Sequence, residues 1–172
     1  KYVSFVKGRA KVCIMIETAA SVARLDNILA VPGVDEIFIG LNDLHISMNL
    51  TFMFELLGGG LVEYAANKCN QAKIPFGFGG IARIGEGMLP SDYILAEHVR
   101  LGSQSVILSR TFKGIEGVDE NARKIDLAEE VGKVRLRIKE IESWNDNQFQ
   151  DNIGKIKEAV ERVVVKMQSR IV

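Results

Sequence analysis

The sequence contains few cysteines and no long apolar run, and each shortage argues against a class of protein. Its two cysteines, Cys13 and Cys69, form no CxxC pair, so we expect small buried side chains in a reducing compartment, not a disulfide framework. No apolar run approaches the roughly 20 residues that span a bilayer, and the amino terminus lacks the apolar core of a signal peptide. The sequence therefore predicts a soluble, cytoplasmic protein.

An excess of either charge is also missing. Lysine plus arginine and aspartate plus glutamate number 22 each, so no net field attracts nucleic acid or an anionic membrane, and neither partner is expected. The HExxH, GxSxG and P-loop motifs are absent, so the sites that they mark are not expected either. The 172 residues, 47% of them hydrophobic, suffice for one domain with a core.

Short apolar runs alternate with helical patterns over the first two thirds of the chain. The pattern predicts strands at 11–17, 34–40, 74–80 and 103–112, and helices at 18–33, 61–73 and 91–102. Ser91 is the expected cap of the last of these helices and Gly102 its end. This alternation is typical of a parallel α/β sheet whose strands are buried on both faces. Four βα units form half of a (β/α)8 TIM-type barrel, although doubly wound sheets share the pattern.

Residues 115–172 have a different character. Apolar residues recur at steps of three and four over 121–142 and 147–167, with charges between them, which predicts two amphipathic helices. We therefore divide the chain into a half-barrel, 1–114, and a helical tail, 115–172. The apolar stripes of the tail need burial against the barrel or another chain, which favours a homo-oligomer.

Glu17 and Asp43 follow the first two predicted strands. Parallel strands joined by a helix present their carboxyl ends on one rim, where βα folds place their active sites. Neither strand end carries a lysine or arginine beside the carboxylate, so two neighbouring carboxylates predict a cation between them. Few, hard oxygen ligands suit Mg²⁺ or Mn²⁺. Helix capping by the same two residues is the structural alternative.

The residues before Asp43 suit a second ligand group. Gly40 lets a ligand approach the backbone closely, and the amides of Gly40, Leu41, Asn42 and Asp43 form a turn that can hold a carboxylate. A metal beside a carboxylate site describes a chelating 2-oxo acid, whose enolate the metal stabilises. Asn42 is a candidate to orient Asp43 or to donate to substrate, and His45 is a candidate proton donor.

The segment 14–44 resembles a known family. Its strand ending Ile-Glu-Thr, its helix closing on Ala-Val-Pro-Gly-Val-Asp and its strand running into Ile-Gly-x-x-Asp-Leu are similar to the HpcH/HpaI aldolase and citrate lyase beta-subunit family. These are metal-dependent 2-oxo-acid aldolases of the phosphoenolpyruvate/pyruvate barrel superfamily. The helical tail resembles the carboxy-terminal helices of that family, which pack between subunits.

The resemblance implies a function for these residues. Glu17 and Asp43 would bind a divalent cation, and residues 40–43 the carboxylate of pyruvate or a related 2-oxo acid. The implied enzyme is a lyase that forms or cleaves a C–C bond through a pyruvate-type enolate, with a 2-oxo acid or a citryl- or malyl-type substrate. Because the family's catalytic arginine and base histidine come from the first half of the barrel, we expect this chain to be the carboxy-terminal half, with little or no activity alone.

Three positions depart from the family pattern. Met15 stands where many of the aldolases have a glutamine, Leu41-Asn42 replaces a common Pro-Ala, and His45 replaces a small serine. Two other functions stay open. One is a non-catalytic half-barrel that serves binding or assembly, and the other is a phosphate-binding barrel enzyme that uses the glycine-rich stretch Gly77–Gly80, with Arg83 meeting the anion.

Overall fold

The computed structural model describes residues 2–6, 8–113 and 125–169. In chain order the elements are α1 (Tyr2–Val6), β1 (Cys13–Ile16), α2 (Ala19–Ala23), α3 (Leu25–Leu29), β2 (Glu36–Ile39), α4 (Leu41–Ser47), α5 (Glu55–Gly58), α6 (Leu61–Ala72), β3 (Phe76–Ile81), α7 (Ser91–Leu101), β4 (Ser105–Leu108), a 3₁₀ turn (Arg110–Lys113), α8 (Leu127–Ile141) and α9 (Asp146–Gln168).

The four strands form one parallel sheet in the order β1-β2-β3-β4. Ile16 pairs with Ile39, and Ile39 pairs with Phe78. All three side chains are buried, on the face that α7 covers, since Phe78 stacks on His98 of that helix. The predicted parallel α/β class is thus confirmed. Among the described residues β1 and β4 are the outer strands of this sheet, so the barrel type stays a prediction.

The outer strands are only partly covered. Met15 of β1 is 48% exposed and Ile107 of β4 is 53% exposed, whereas Phe38 of β2 is buried. Burial of every strand on both faces was the expectation from their continuous apolar runs. For β1 and β4 that prediction is wrong, because each has a strand on one side only among the described residues.

The helices between the strands differ from the predicted ones in two places. The helix predicted over 18–33 is interrupted at Arg24, whose φ of −105° and ψ of 13° separate α2 from α3. The helices α4 and α5 lie in a stretch where none was predicted. The first of them bears on the predicted site, because α4 starts immediately after Gly40, its N-cap.

The ends of α7 show one correct and one wrong prediction. Gly102 ends this helix with a φ of 78°, a left-handed conformation that glycine adopts without strain. Ser91 was expected to cap the helix, and this is wrong, because Pro90 occupies the N-cap. Ser91 is buried, and its hydroxyl donates to the carbonyl oxygen of Arg83 at 3.1 Å.

The two amphipathic helices predicted in the tail are confirmed as α8 and α9, while residues 121–124 of the first predicted range lie outside the described residues. Asp126 caps the first by accepting from the amides of Ala128 and Glu129, and Asn145 caps the second. Both helices pack against α7, and α9 also packs against α5. The predicted boundary between 114 and 115 lies outside the described residues. No helix in the described part of the chain is long and apolar enough to cross a membrane.

A partly buried charge network joins α6, α7 and α9. Arg100 contacts Glu97 at 2.7 Å and Glu63 at 2.9 Å. The amide nitrogen of Asn152 donates to Oε1 of Glu97 at 3.4 Å and to the carbonyl oxygen of Tyr93 at 3.1 Å. Because Glu97 is only 3% exposed, its charge depends on these partners.

The two cysteines lie in different surroundings. Cys69 is buried, as expected, and burial raises the pKa of its thiol to about 11. Cys13 is exposed, so the prediction of burial is wrong for this residue. Cys13 begins β1, an outer strand that is covered less than the centre of the sheet.

His98 lies on the packing side of α7. Its ring stacks on Phe78 with the centroids 3.7 Å apart, and Nδ1 lies 2.8 Å from the hydroxyl of Ser103. Nε2 has no hydrogen-bond partner among the described residues. Burial lowers the pKa of His98 to about 3 from its ordinary value of 6.5, so the ring is neutral in the folded protein near neutral pH.

We expect this buried ring to make stability fall as the solution is acidified. Below pH 6.5 the unfolded chain takes up a proton at His98, but the folded chain does so only near pH 3. The free energy of unfolding should therefore decrease below pH 6.5, by about 1.4 kcal/mol per pH unit. Urea unfolding of the wild type and of His98→Gln between about pH 5 and pH 7 measures this slope. Equal slopes in the two proteins would contradict the prediction.

Candidate metal and substrate site

Glu17 lies beside the residue that follows the neighbouring strand. The Gly40 N–H donates to the carbonyl oxygen of Ile16 at 3.0 Å, so the ladder between β1 and β2 continues to the point where both strands end. A Cβ built on Gly40 would lie 3.4 Å from Oε2 of Glu17. The half-buried carboxylate of Glu17 therefore faces the start of α4.

The first turn of α4 contains the other predicted residues. The amides of Leu41, Asn42 and Asp43 lie in this turn, where no earlier carbonyl of the same helix can accept from them. The amide of Gly40 already donates to Ile16, so the turn offers three amides where the sequence suggested four. Asn42 and Asp43 are both exposed, and the side-chain amide of Asn42 donates to Oδ1 of Asp43 at 3.3 Å.

The structure does not support helix capping as the role of the two carboxylates. Thr18 caps α2, because its Oγ1 accepts from the Ser21 N–H and the Ser21 hydroxyl accepts from the Thr18 N–H, both at 3.1 Å. Glu17 therefore precedes the cap. Asp43 lies in the first turn of α4, where a negative charge is favourable, and not at its N-cap; its Oδ1 accepts from the side-chain amide of Asn42.

The charges of Glu17 and Asp43 are not neutralised by basic side chains. In the part of the chain that the structure describes, no lysine or arginine forms an ion pair with either carboxylate. The described part of the chain also contains no group of three or more histidine, cysteine, aspartate or glutamate side chains that could hold a metal. Two carboxylates suit a cation such as Mg²⁺, which keeps several positions for water and substrate oxygens.

The segment that contains this candidate site matches a known protein family. Residues 4–78 match the model of the HpcH/HpaI aldolase/citrate lyase family. The resemblance predicted from the sequence is confirmed over this segment. The match includes Glu17, Gly40 and Asp43 and ends inside β3. No curated protein and no solved structure matches the chain.

Two departures from the HpcH/HpaI pattern lie close to the site. The terminal methyl of Met15 would be 3.3 Å from a Cβ built on Gly40, so its thioether lies next to Glu17, where a glutamine would offer a donor. His45 directs Nδ1 to the carbonyl oxygen of Leu41 at 3.2 Å. It stands two residues after Asp43, about 200° around the helix, so the two side chains do not face each other.

The glycine-rich stretch Gly77–Gly80 is not a loop. It lies inside β3 and pairs with both neighbouring strands, so the prediction of a phosphate-binding loop here is wrong. Gly77 and Gly80 pair with Ser105 and Ile107 of β4, and the register shifts between the two glycines, so the stretch is a bulged strand whose ladder uses backbone groups of Gly77 and Gly80. Arg83, the predicted anion contact, forms an ion pair with Glu86 at 2.6 Å.

Proposed function

We propose that this chain carries the metal- and carboxylate-binding part of a divalent-metal-dependent carbon–carbon lyase of the HpcH/HpaI type. The enzyme would form or cleave a C–C bond through a pyruvate-type enolate, with a 2-oxo acid or a citryl- or malyl-type substrate. The observation that carries the proposal is the carboxylate of Glu17 against Gly40, at the start of the helix that contains Asp43. The family match over residues 4–78 supports it.

Glu17 and Asp43 would hold the cation, Mg²⁺ or Mn²⁺. Both are carboxylates without a basic ion-pair partner in the described residues, and such oxygen ligands suit either ion. When bound, the cation polarises the 2-oxo group of the substrate and stabilises the negative charge of its enolate.

The rest of the turn would bind and orient the substrate. The N–H groups of Leu41 and Asn42 would donate hydrogen bonds to its carboxylate, because helix N-terminal amides have no partner within the helix. Gly40 keeps the space beside Glu17 free of a side chain. The side chain of Asn42 holds Oδ1 of Asp43 and acts as a positioning residue.

Calorimetric titration of Mn²⁺ into the full chain, with and without oxalate as an enolate mimic, tests the proposal. We expect Mn²⁺ to bind, and oxalate to bind only when Mn²⁺ is present. Glu17→Gln and Asp43→Asn should each weaken Mn²⁺ binding by about tenfold or more, since each removes one of two charged ligands. Glu158→Gln on the exposed side of α9 is the control with the same loss of charge, and it should bind Mn²⁺ as the wild type does.

Two outcomes would contradict this proposal. Unchanged Mn²⁺ affinity in both Glu17→Gln and Asp43→Asn would remove these residues as ligands. Oxalate binding of equal strength without Mn²⁺ would mean that the turn binds anions without the help of a metal.

A non-catalytic assembly module is the second candidate. Exposed apolar side chains on the outer strands and on α8 favour it, including Met15, Ile107 and the 61% exposed Leu136. A homo-oligomer that forms through the tail would cover some of this surface. Mn²⁺ binding without oxalate binding, together with a mass above that of one chain in sedimentation equilibrium, would favour this function over the lyase.

A further inference from the structure

A separate cavity of about 380 Å³ lies at the carboxyl ends of β3 and β4. Small-molecule sites in proteins typically measure roughly 300–1,000 Å³, so the volume suits a small ligand. Residues from four segments line it, namely 52–54, Gly80 with Ala82, 87–89 and 109–111, together with Ile94. Glu17 and Asp43 are not among the lining residues, so this cavity is distinct from the candidate metal site.

The cavity wall is mainly apolar. The rings of Phe52 and Phe54 meet edge to face, with their centroids 5.3 Å apart. Leu89 and Ile94 are almost fully buried, whereas Met88 is 63% exposed. An apolar wall that ends in an exposed methionine suits the flexible apolar tail of a ligand.

One side of the cavity carries two hydroxyl groups. The hydroxyls of Ser109 and Thr111 are 3.0 Å apart, so one donates to the other. Oγ1 of Thr111 also accepts from the Arg83 N–H at 3.0 Å. Only one of the two hydroxyl hydrogens is used between the pair. The hydroxyl that accepts this hydrogen bond therefore still has its own O–H to donate. This side can therefore donate one hydrogen bond to a ligand.

Arg110 lies between Ser109 and Thr111 in the sequence and adds a positive charge to the cavity wall. It lines the cavity and is exposed, and no carboxylate in the described ranges forms an ion pair with it. Arg83 nearby is different, since Glu86 pairs with it. A guanidinium and one hydroxyl donor match a group with a single negative charge and two oxygens.

We propose that this cavity binds a small monocarboxylate with an apolar tail. The carboxylate would contact Arg110 and the Ser109–Thr111 hydroxyl pair, and the tail would lie among Phe52, Phe54 and Leu89. A single cation and a single hydroxyl donor fit a carboxylate better than a phosphate, which carries more charge and more acceptor oxygens. Binding needs no metal, so this site goes beyond the proposed lyase function and does not depend on it.

Titration of hexanoate into the metal-free full chain, followed by the amide NMR signals of residues 109–111, tests this site. We expect saturable shifts with hexanoate, weaker binding of hexanol because it lacks the charge, and weaker binding of acetate because it lacks the tail. Arg110→Gln should weaken hexanoate binding about tenfold, as expected for a hydrogen bond to a charged group. Lys113→Gln is the matched control, since Lys113 is exposed in the same 3₁₀ turn but does not line the cavity.

A second variant keeps the test independent of Arg110. Met88→Asp introduces a negative charge at an exposed position of the wall and should also weaken hexanoate binding. The proposal is overturned if hexanoate gives no saturable shift in the folded chain, if hexanol binds as tightly as hexanoate, or if Arg110→Gln and Lys113→Gln bind it equally. Because Mn²⁺ is absent, none of these results bears on Glu17 and Asp43.

Discussion

Replacing Gly77 by alanine is expected to lower the free energy of unfolding by about 3 kcal/mol, at the upper end of the usual cost of overpacking. A Cβ at this position would lie 2.5 Å from the carbonyl oxygen of Ser105, closer still to the Ser105 hydroxyl, and 3.0 Å from the ring of Phe38. The carbonyl belongs to the adjacent strand β4, so β3 and β4 would have to move apart to admit the methyl group.

The same substitution at a glycine of α8 should change stability in the opposite direction. Nothing lies within 4 Å of a Cβ built on Gly132, so Gly132→Ala should raise stability by about 0.5–1 kcal/mol because alanine favours the helix. Urea unfolding of the two variants beside the wild type measures both effects. If Gly77→Ala were as stable as the wild type, the close approach of β3 and β4 described here would be incorrect.

The second large effect is expected from Arg100→Met. Removing the guanidinium leaves the carboxylate of Glu97, only 3% exposed, without its cation. Breaking a buried ion pair in this way typically costs about 3–5 kcal/mol. The pair with Glu63 is lost as well, but Glu63 is partly exposed and contributes less. Chemical unfolding near neutral pH measures the loss.

Two further variants separate the buried charge from other causes. Arg135→Met on the exposed side of α8 makes the same substitution at the surface and should change stability by less than about 0.5 kcal/mol. Glu97→Leu combined with Arg100→Met removes both charges and should recover much of the loss. A double variant no more stable than Arg100→Met alone would argue that packing, and not the unpaired carboxylate, causes the destabilisation.

The strands could be predicted because buried parallel strands have continuous apolar runs. Each predicted run overlaps an observed strand, with only the ends displaced by a few residues. The helix α4 could not be found in this way, because it has seven residues and its N-cap is a glycine that makes no side-chain hydrogen bond. The interruption at Arg24 is hidden for a related reason, since the apolar spacing continues across it.

The position of Glu17 relative to Gly40 follows from strand order, which the sequence indicates. What depends on three-dimensional packing could not be predicted. Met15 reaches Gly40 across the pair of strands, and Glu97 is buried although it lies in a charged stretch of its helix. The cavity beside Arg110 is assembled from four separate segments, so no local motif marks it.

The helix α9 follows α5 and α7 in the chain and covers part of both. Ile156, Ala159 and Val160 of α9 are buried, and Val160 lies 3.8 Å from a Cβ built on Gly58 of α5. Because the ribosome releases a chain from its amino terminus, α5 and α7 emerge before the helix that covers them. Their apolar surface meets water or a chaperone during that interval. We therefore expect a nascent chain that stops short of residue 156 to leave this apolar surface exposed to water, which favours aggregation or chaperone binding.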